Sequence, residues 1–149
     1  MIEVQNLRKT FGASGDKVAV DDISFSVKQG EVLGFLGPNG AGKSTTMRMI
    51  TGYLAPDSGT AIVDGHDITL APEAAKAVMG YLPENAPSYP DMTVTSFLNF
   101  AAEVRGLSGK ERNDAVDRSI EMYFLDPVRH QSIDTLSKGY THRTCLAQS

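Results

Sequence analysis

Residues 37 to 44, Gly-Pro-Asn-Gly-Ala-Gly-Lys-Ser, place three glycines, a lysine and a hydroxyl within eight positions. Glycines let successive backbone N–H groups turn toward one point with no Cβ in the way, which makes a nest for an anion. A helix starting near Lys43 adds the positive end of its dipole. Lys43 can reach β- and γ-phosphates as a point charge, and Ser44 offers a hydroxyl to Mg²⁺, a hard cation that prefers oxygen. The spacing is that of the phosphate loop, G-x-x-x-x-G-K-[ST]. A glycine turn with a solvated lysine would show the same letters, so the flanks decide. Val32, Leu33, Phe35 and Leu36 form the apolar run expected of a strand buried on both faces. After the loop, "STTMRMI" puts Met47 and Ile50 on one face of a helix. Strand, glycine loop and helix in that order point to a nucleoside triphosphate site.

The remaining elements must position that loop. The 149 residues suit one domain with one core, and 41% apolar with 21% charged residues is ordinary globular usage. A net charge of -4 argues against a protein that grips nucleic acid. No apolar run is long enough to span a bilayer, and "MIEVQNLRKTF" alternates like a strand rather than a signal peptide. The single cysteine, Cys145, excludes an internal disulfide, fits a reducing cytosol and is expected to be a small buried side chain. Thr60, Ile62 and Asp64-Gly65 read as a strand ending in a tight turn, with no ligand role for His66 or Asp67. Pro72 starts a short helix within 71–80. Residues 93–126 read as mostly helical. Thr93 or Thr95 caps a helix bearing Phe97, Leu98, Ala101 and Val104 on one face. Ser108 and Glu111 make a capping box for the next helix. That helix turns Ala115, Val116, Ile120 and Tyr123 inward and Asp114, Asp117, Arg118 and Glu121 outward. From Ser137, with Arg143, Leu146 and Ala147 at helical spacing, a further helix begins.

"GPNGAGKST" resembles the Walker A motif of the ATP-binding cassette (ABC) ATPases, and the likeness runs along nearly the whole chain. It implies an α/β fold: a phosphate-loop NTPase core, an antiparallel β subdomain and a helical subdomain. Residues 1–92 would hold the β subdomain and core, and 93–149 the helical subdomain and signature motif. ATP, with Mg²⁺, would lie against Gly37, Pro38, Asn39, Gly40, Ala41, Gly42, Lys43, Ser44 and Thr45. "LRKTFG" puts Phe11 where the family stacks an aromatic ring on adenine, although a strand aromatic packed in the core would look the same. "MGYLPEN" resembles the segment that usually ends in a glutamine near the metal and attacking water. Here the position is Glu84, which could approach Mg²⁺ or water, or face solvent. The "YLPE" form resembles a branch associated with two-subunit export systems. Residues 85–93 would touch a transmembrane partner or form a plain surface loop.

"LSKGY" resembles the signature motif usually written LSGGQ. Ser137 and Gly139 are kept, and Lys138 and Tyr140 replace a glycine and the glutamine. The resemblance makes this helix end face the ATP held by a second cassette. In the family an apolar strand with two acids and a switch histidine follow. Residues 1–149 contain neither, so the reading is an incomplete cassette, C-terminally truncated, with no catalytic residue of its own beyond the candidate Glu84. Beside the strands expected at 31–36 and 79–82 a parallel-sheet strand would be lacking. The chain alone is therefore expected to be marginally folded or self-associating, to bind ATP weakly and to show no turnover. The resemblance implies an ATP-hydrolysing transporter subunit working as a dimer with a separate transmembrane subunit, cytoplasmic and peripheral on the inner face of the membrane. The alternatives are a nucleotide-binding fragment without hydrolysis, or a soluble cassette acting on ribosomes or DNA, which the acidic charge disfavours.

Overall fold

The computed structural model describes residues 1–13, 15–83 and 88–149. The chain forms two compact units, Met1–Gly80 and Tyr81–Ser149, each with its own core, where a single core was expected. An α/β chain with an antiparallel sheet and a separate set of helices is what the sequence implied.

In the first unit β1 (Ile2–Phe11) pairs antiparallel with β2 (Lys17–Val27) on one side and β3 (Ser58–Val63) on the other. The two-residue β4 (His66–Asp67) closes the order β2-β1-β3-β4. Val4 and Leu7 are both buried although an odd spacing should place them on opposite faces. The ladder resolves this with register shifts between them. Asn6 takes φ 50° there, with its amide donating to Asp22 Oδ1 at 2.9 Å and its N–H donating to Ser24 Oγ at 2.8 Å. Gly59 fits against this bulge because it has no Cβ; one would lie 2.2 Å from the Asn6 carbonyl oxygen. Asp64 and Gly65 both have positive φ, the geometry of the tight hairpin turn that the sequence announces. Asp67 accepts from Thr60, Thr69 and the Leu70 N–H, a structural turn. These bonds to the ionised form hold its carboxyl below the usual carboxylate range.

The end of β1 is tied down by one carboxylate. Asp57 Oδ1 accepts from Lys9 Nζ at 2.7 Å, and Oδ2 accepts from the Thr10 N–H at 2.7 Å and the Thr10 hydroxyl at 2.8 Å. Lys9 and Thr10 thereby lower the Asp57 pKa to about 2.

Helix α1 (Lys43–Ile50) packs on the sheet through Thr46, Met49 and Ile50, which are buried at i, i+3, i+4 spacing. Met47 is 38% exposed, so the inward face is rotated from the Met47–Ile50 face expected. The short α2 (Pro72–Ala77) starts at Pro72 and buries Ala75. The strands expected at 31–36 and 79–82 are not formed. Among the described residues neither segment pairs in a ladder with another strand, and Val32 and Leu36 are 95% and 96% exposed. A parallel ladder needs a partner on at least one side, and the described sheet is wholly antiparallel. Phe35 is anchored edge-on to Phe25 with centroids 5.4 Å apart, and Met79 packs against the core of the first unit.

The second unit consists of α3 (Val94–Val104), α4 (Gly109–Met122) and α5 (Lys138–Ala147), with short 3₁₀ turns at Asp126–Val128 and Ile133–Thr135. Thr93 caps α3, its hydroxyl oxygen accepting from the Ser96 N–H at 3.1 Å. Phe97, Leu98, Val116, Ile120 and Leu125 fill the core. Val104 is 71% exposed, because the helix turns it away from the Phe97–Leu98 face. Ser108 occupies the N-cap of α4 without a side-chain bond, so the expected capping box is not closed. Asp114, Asp117, Arg118 and Glu121 are exposed as read from the sequence. Among the described residues no helix is long and apolar enough to cross a membrane.

Two outcomes follow for stability. Gly59→Ala combines a left-handed backbone with a backbone collision and should cost about 3 kcal/mol or more. Gly65→Ala, with open space around it, should cost only about 1–2 kcal/mol. Urea midpoints of the two variants test the difference, and equal shifts would contradict the close approach at Asn6. Because the folded Asp57 carboxyl titrates near 2 rather than 3.8, its contribution is complete above pH 4 and fades as pH falls toward 2. The stability gap between wild type and Asp57→Asn should therefore close across that interval in acid-titrated melts. A gap that widens there would refute it.

Candidate functional site

The loop from Gly37 to Gly42 is shaped by its own lysine. Lys43 Nζ donates to the carbonyl oxygens of Gly37 at 2.7 Å and Pro38 at 2.8 Å. The Ala41 N–H donates to Pro38 at 3.2 Å. The ammonium is thus held inside the curl of the loop. Gly37, Gly40 and Gly42 have φ of 152°, 87° and 83°, in the region that favours glycine. Their roles differ. Around Gly40 there is open space, whereas a Cβ on Gly42 would lie 2.3 Å from the Ala19 carbonyl oxygen. Gly42 therefore seats the loop directly on β2.

Gly42 is also the N-cap of α1. The first turn of α1 carries no acid and Arg48 lies in its last turn, so no side chain of that turn cancels the positive end of the dipole. Asn39, Ala41 and Ser44 are exposed beside it, and Thr45 is half-buried. Glycines free to aim N–H groups, a caged ammonium and an exposed hydroxyl fit a polyphosphate, with Ser44 available to a magnesium ion carried by it.

Phe11 closes β1 and pairs with Lys17 at the start of β2. Its ring is 41% exposed rather than packed in the core, with Lys9 Nζ 6.0 Å from the centroid. One hairpin therefore carries both features: β2 supports Gly42 through Ala19 and pairs with the strand that ends in Phe11.

The other expected site residues lie in the second unit. Ser137 caps α5, its hydroxyl oxygen accepting from the Tyr140 N–H at 3.4 Å. Ser137, Lys138 and Gly139 are exposed, and this first turn too lacks an acid. Tyr140 has a use that the sequence reading missed. Its ring lies under the Arg143 guanidinium, 4.1 Å from the centroid, and Arg143 donates to the Tyr123 and Phe124 carbonyls at the end of α4. The i, i+3 spacing of Tyr140 and Arg143 was the available signal. Cys145 is buried, and burial pushes its thiol pKa up, as suits an inert packing residue. Glu84 and residues 85–87 lie outside the described residues. Among the described residues no three His, Cys, Asp or Glu side chains gather as a metal site.

The sequence profile described as "ABC transporter" matches residues 20–149. The chain is 40% identical over its full length to the probable multidrug ABC transporter ATP-binding protein YbhF of Escherichia coli K12, of which it spans 25%. It is 35% identical over 99% of its length to the lipopolysaccharide export system ATP-binding protein LptB of the same organism, of which it spans 61%. A solved ATP-binding subunit of an ABC transporter superposes on the whole chain with a TM-score of 0.82 at 28% identity, the chain covering 61% of it. On these likenesses, which run along the whole chain, the chain belongs to the ABC transporter family.

Proposed function

We propose that the chain is the nucleotide-binding portion of an ABC transporter ATPase subunit. The observation that carries this reading is the Lys43 ammonium held 2.7 and 2.8 Å from the Gly37 and Pro38 carbonyls at the acid-free start of α1. Gly37 to Thr45 hold the phosphates by backbone N–H groups and the helix dipole. Lys43 neutralises the β- and γ-phosphates, Ser44 meets Mg²⁺, and Phe11 stacks on adenine. Ser137 to Tyr140 act on ATP held by a second cassette. Glu84 is the carboxylate within these residues assigned to metal or water.

Hydrolysis, dimerisation and coupling to a transmembrane subunit on the inner membrane face are proposed for the whole protein. Catalysis there rests on positioning and charge stabilisation of the transferred phosphoryl group. Export as the direction is supported by the name of the relative LptB. For these 149 residues, ATP binding without turnover is the matching proposal.

Lys43→Ala should weaken ATP by at least about ten-fold, since a charged hydrogen-bonding group is worth roughly 1.5–3 kcal/mol, and should weaken AMP much less. Calorimetry with both ligands tests it; equal losses would mean that the loop itself had collapsed. Phe11→Ala should weaken ATP by about 1–3 kcal/mol, the range for base–aromatic stacking, and leave tripolyphosphate nearly unchanged. Parallel losses would assign Phe11 to packing alone.

A further inference from the structure

Phe11 stands at the last position of β1, where a strand normally frays, and its half-exposed ring receives little support from packing. The β1–β3 pairing stops at Arg8 and Ser58. Beyond it the chain preceding β3 holds on by side chain instead. The Asp57 N–H still donates to the Arg8 carbonyl at 2.9 Å. Its carboxylate then reaches past that point to the Thr10 N–H, the donor next to Phe11, and also takes the Thr10 hydroxyl. With its other oxygen it fixes Lys9 Nζ, which donates in addition to the Ala55 carbonyl at 2.8 Å. Both residues before Phe11 are thereby fastened to one segment. That segment also follows α1, whose end is closed by Tyr53 and Leu54 N–H groups donating to the Arg48 carbonyl.

We propose that Asp57 is the positioning residue for adenine recognition: its carboxylate clamps Lys9 and Thr10 to hold the Phe11 ring in place relative to the phosphate loop. The inference rests on the reading of Phe11 as the adenine platform. The group stays ionised far below neutral pH because its three donors all favour the charged form, so the clamp is permanent under working conditions. Asparagine in its place keeps the shape but sets an NH₂ group against either the Lys9 ammonium or the Thr10 N–H.

The test compares MgATP with tripolyphosphate by calorimetry on wild type, Asp57→Asn, Phe11→Ala and the double variant. Asp57→Asn should lower the preference for ATP over tripolyphosphate by about ten-fold, within the stacking range. In the double variant the preference should match that of Phe11→Ala within about two-fold, because a clamp acting through the ring has nothing left to act on. Lys9→Met, which removes one arm of the clamp, should give a smaller loss of the same kind. A purely structural Asp57 would weaken both ligands alike, and an independent one would add its effect to that of Phe11→Ala; either result overturns the proposal. If Phe11→Ala leaves the preference intact, the adenine platform itself is wrong and the clamp falls with it. If only Asp57→Asn leaves it intact, the platform stands and the clamp alone is refuted.

Discussion

The approach of Gly42 to the Ala19 carbonyl is the constraint from which the first unit is built. A loop that bares N–H groups toward an anion must turn its other side to something solid, and here that support is the backbone of β2. A side chain at Gly42 would lift the loop away and carry the start of α1 with it. Because β2 pairs with β1, the same contact fixes the distance between the phosphate loop and the end of β1. The bulge at Asn6 and Asp22 serves this pairing. It lets Val4 and Leu7 share the core without ending the ladder that supports the loop.

Much of this was legible because local chemistry left few options. Eight consecutive residues from Gly37 to Ser44 carry the loop, and Asp64-Gly65, Pro72 and Thr93 mark a turn and two helix starts that formed where expected. The unclosed capping box at Ser108 is a local miss, but the failures at Val32 to Leu36 and at Met47 share a cause: each depended on a partner distant in sequence. Val32 to Leu36 has the composition of a buried strand, but a strand is a relation between two segments, and composition describes one. Met47 and Met49 are equally apolar, and only the position of the sheet decides that Met49 faces it. The Asp57 carboxylate contacts span 47 and 48 positions of chain, beyond the reach of any local pattern.

In the second unit a residue that differs from the motif its segment resembles has a structural use of its own. Tyr140, in the segment whose sequence resembles that motif, offers an aromatic face to Arg143 one turn later. The guanidinium in turn closes the carbonyl end of α4. The start of α5 is thereby tied to a neighbouring helix by a stacked cation rather than by an amide.

The acid-free first turn of α1 has a consequence for how the loop would respond to its medium. From Gly37 to Ile50 the chain contains no aspartate, glutamate, histidine, cysteine or tyrosine. Its only charged side chains are the cations Lys43 and Arg48, so the segment itself sets no carboxylate against an anion. The last ionisation of a phosphate falls near pH 6, so a phosphate held here would bring more negative charge to that cationic segment as pH rises through that value. Acidity would then reach such a loop through the charge of its ligand.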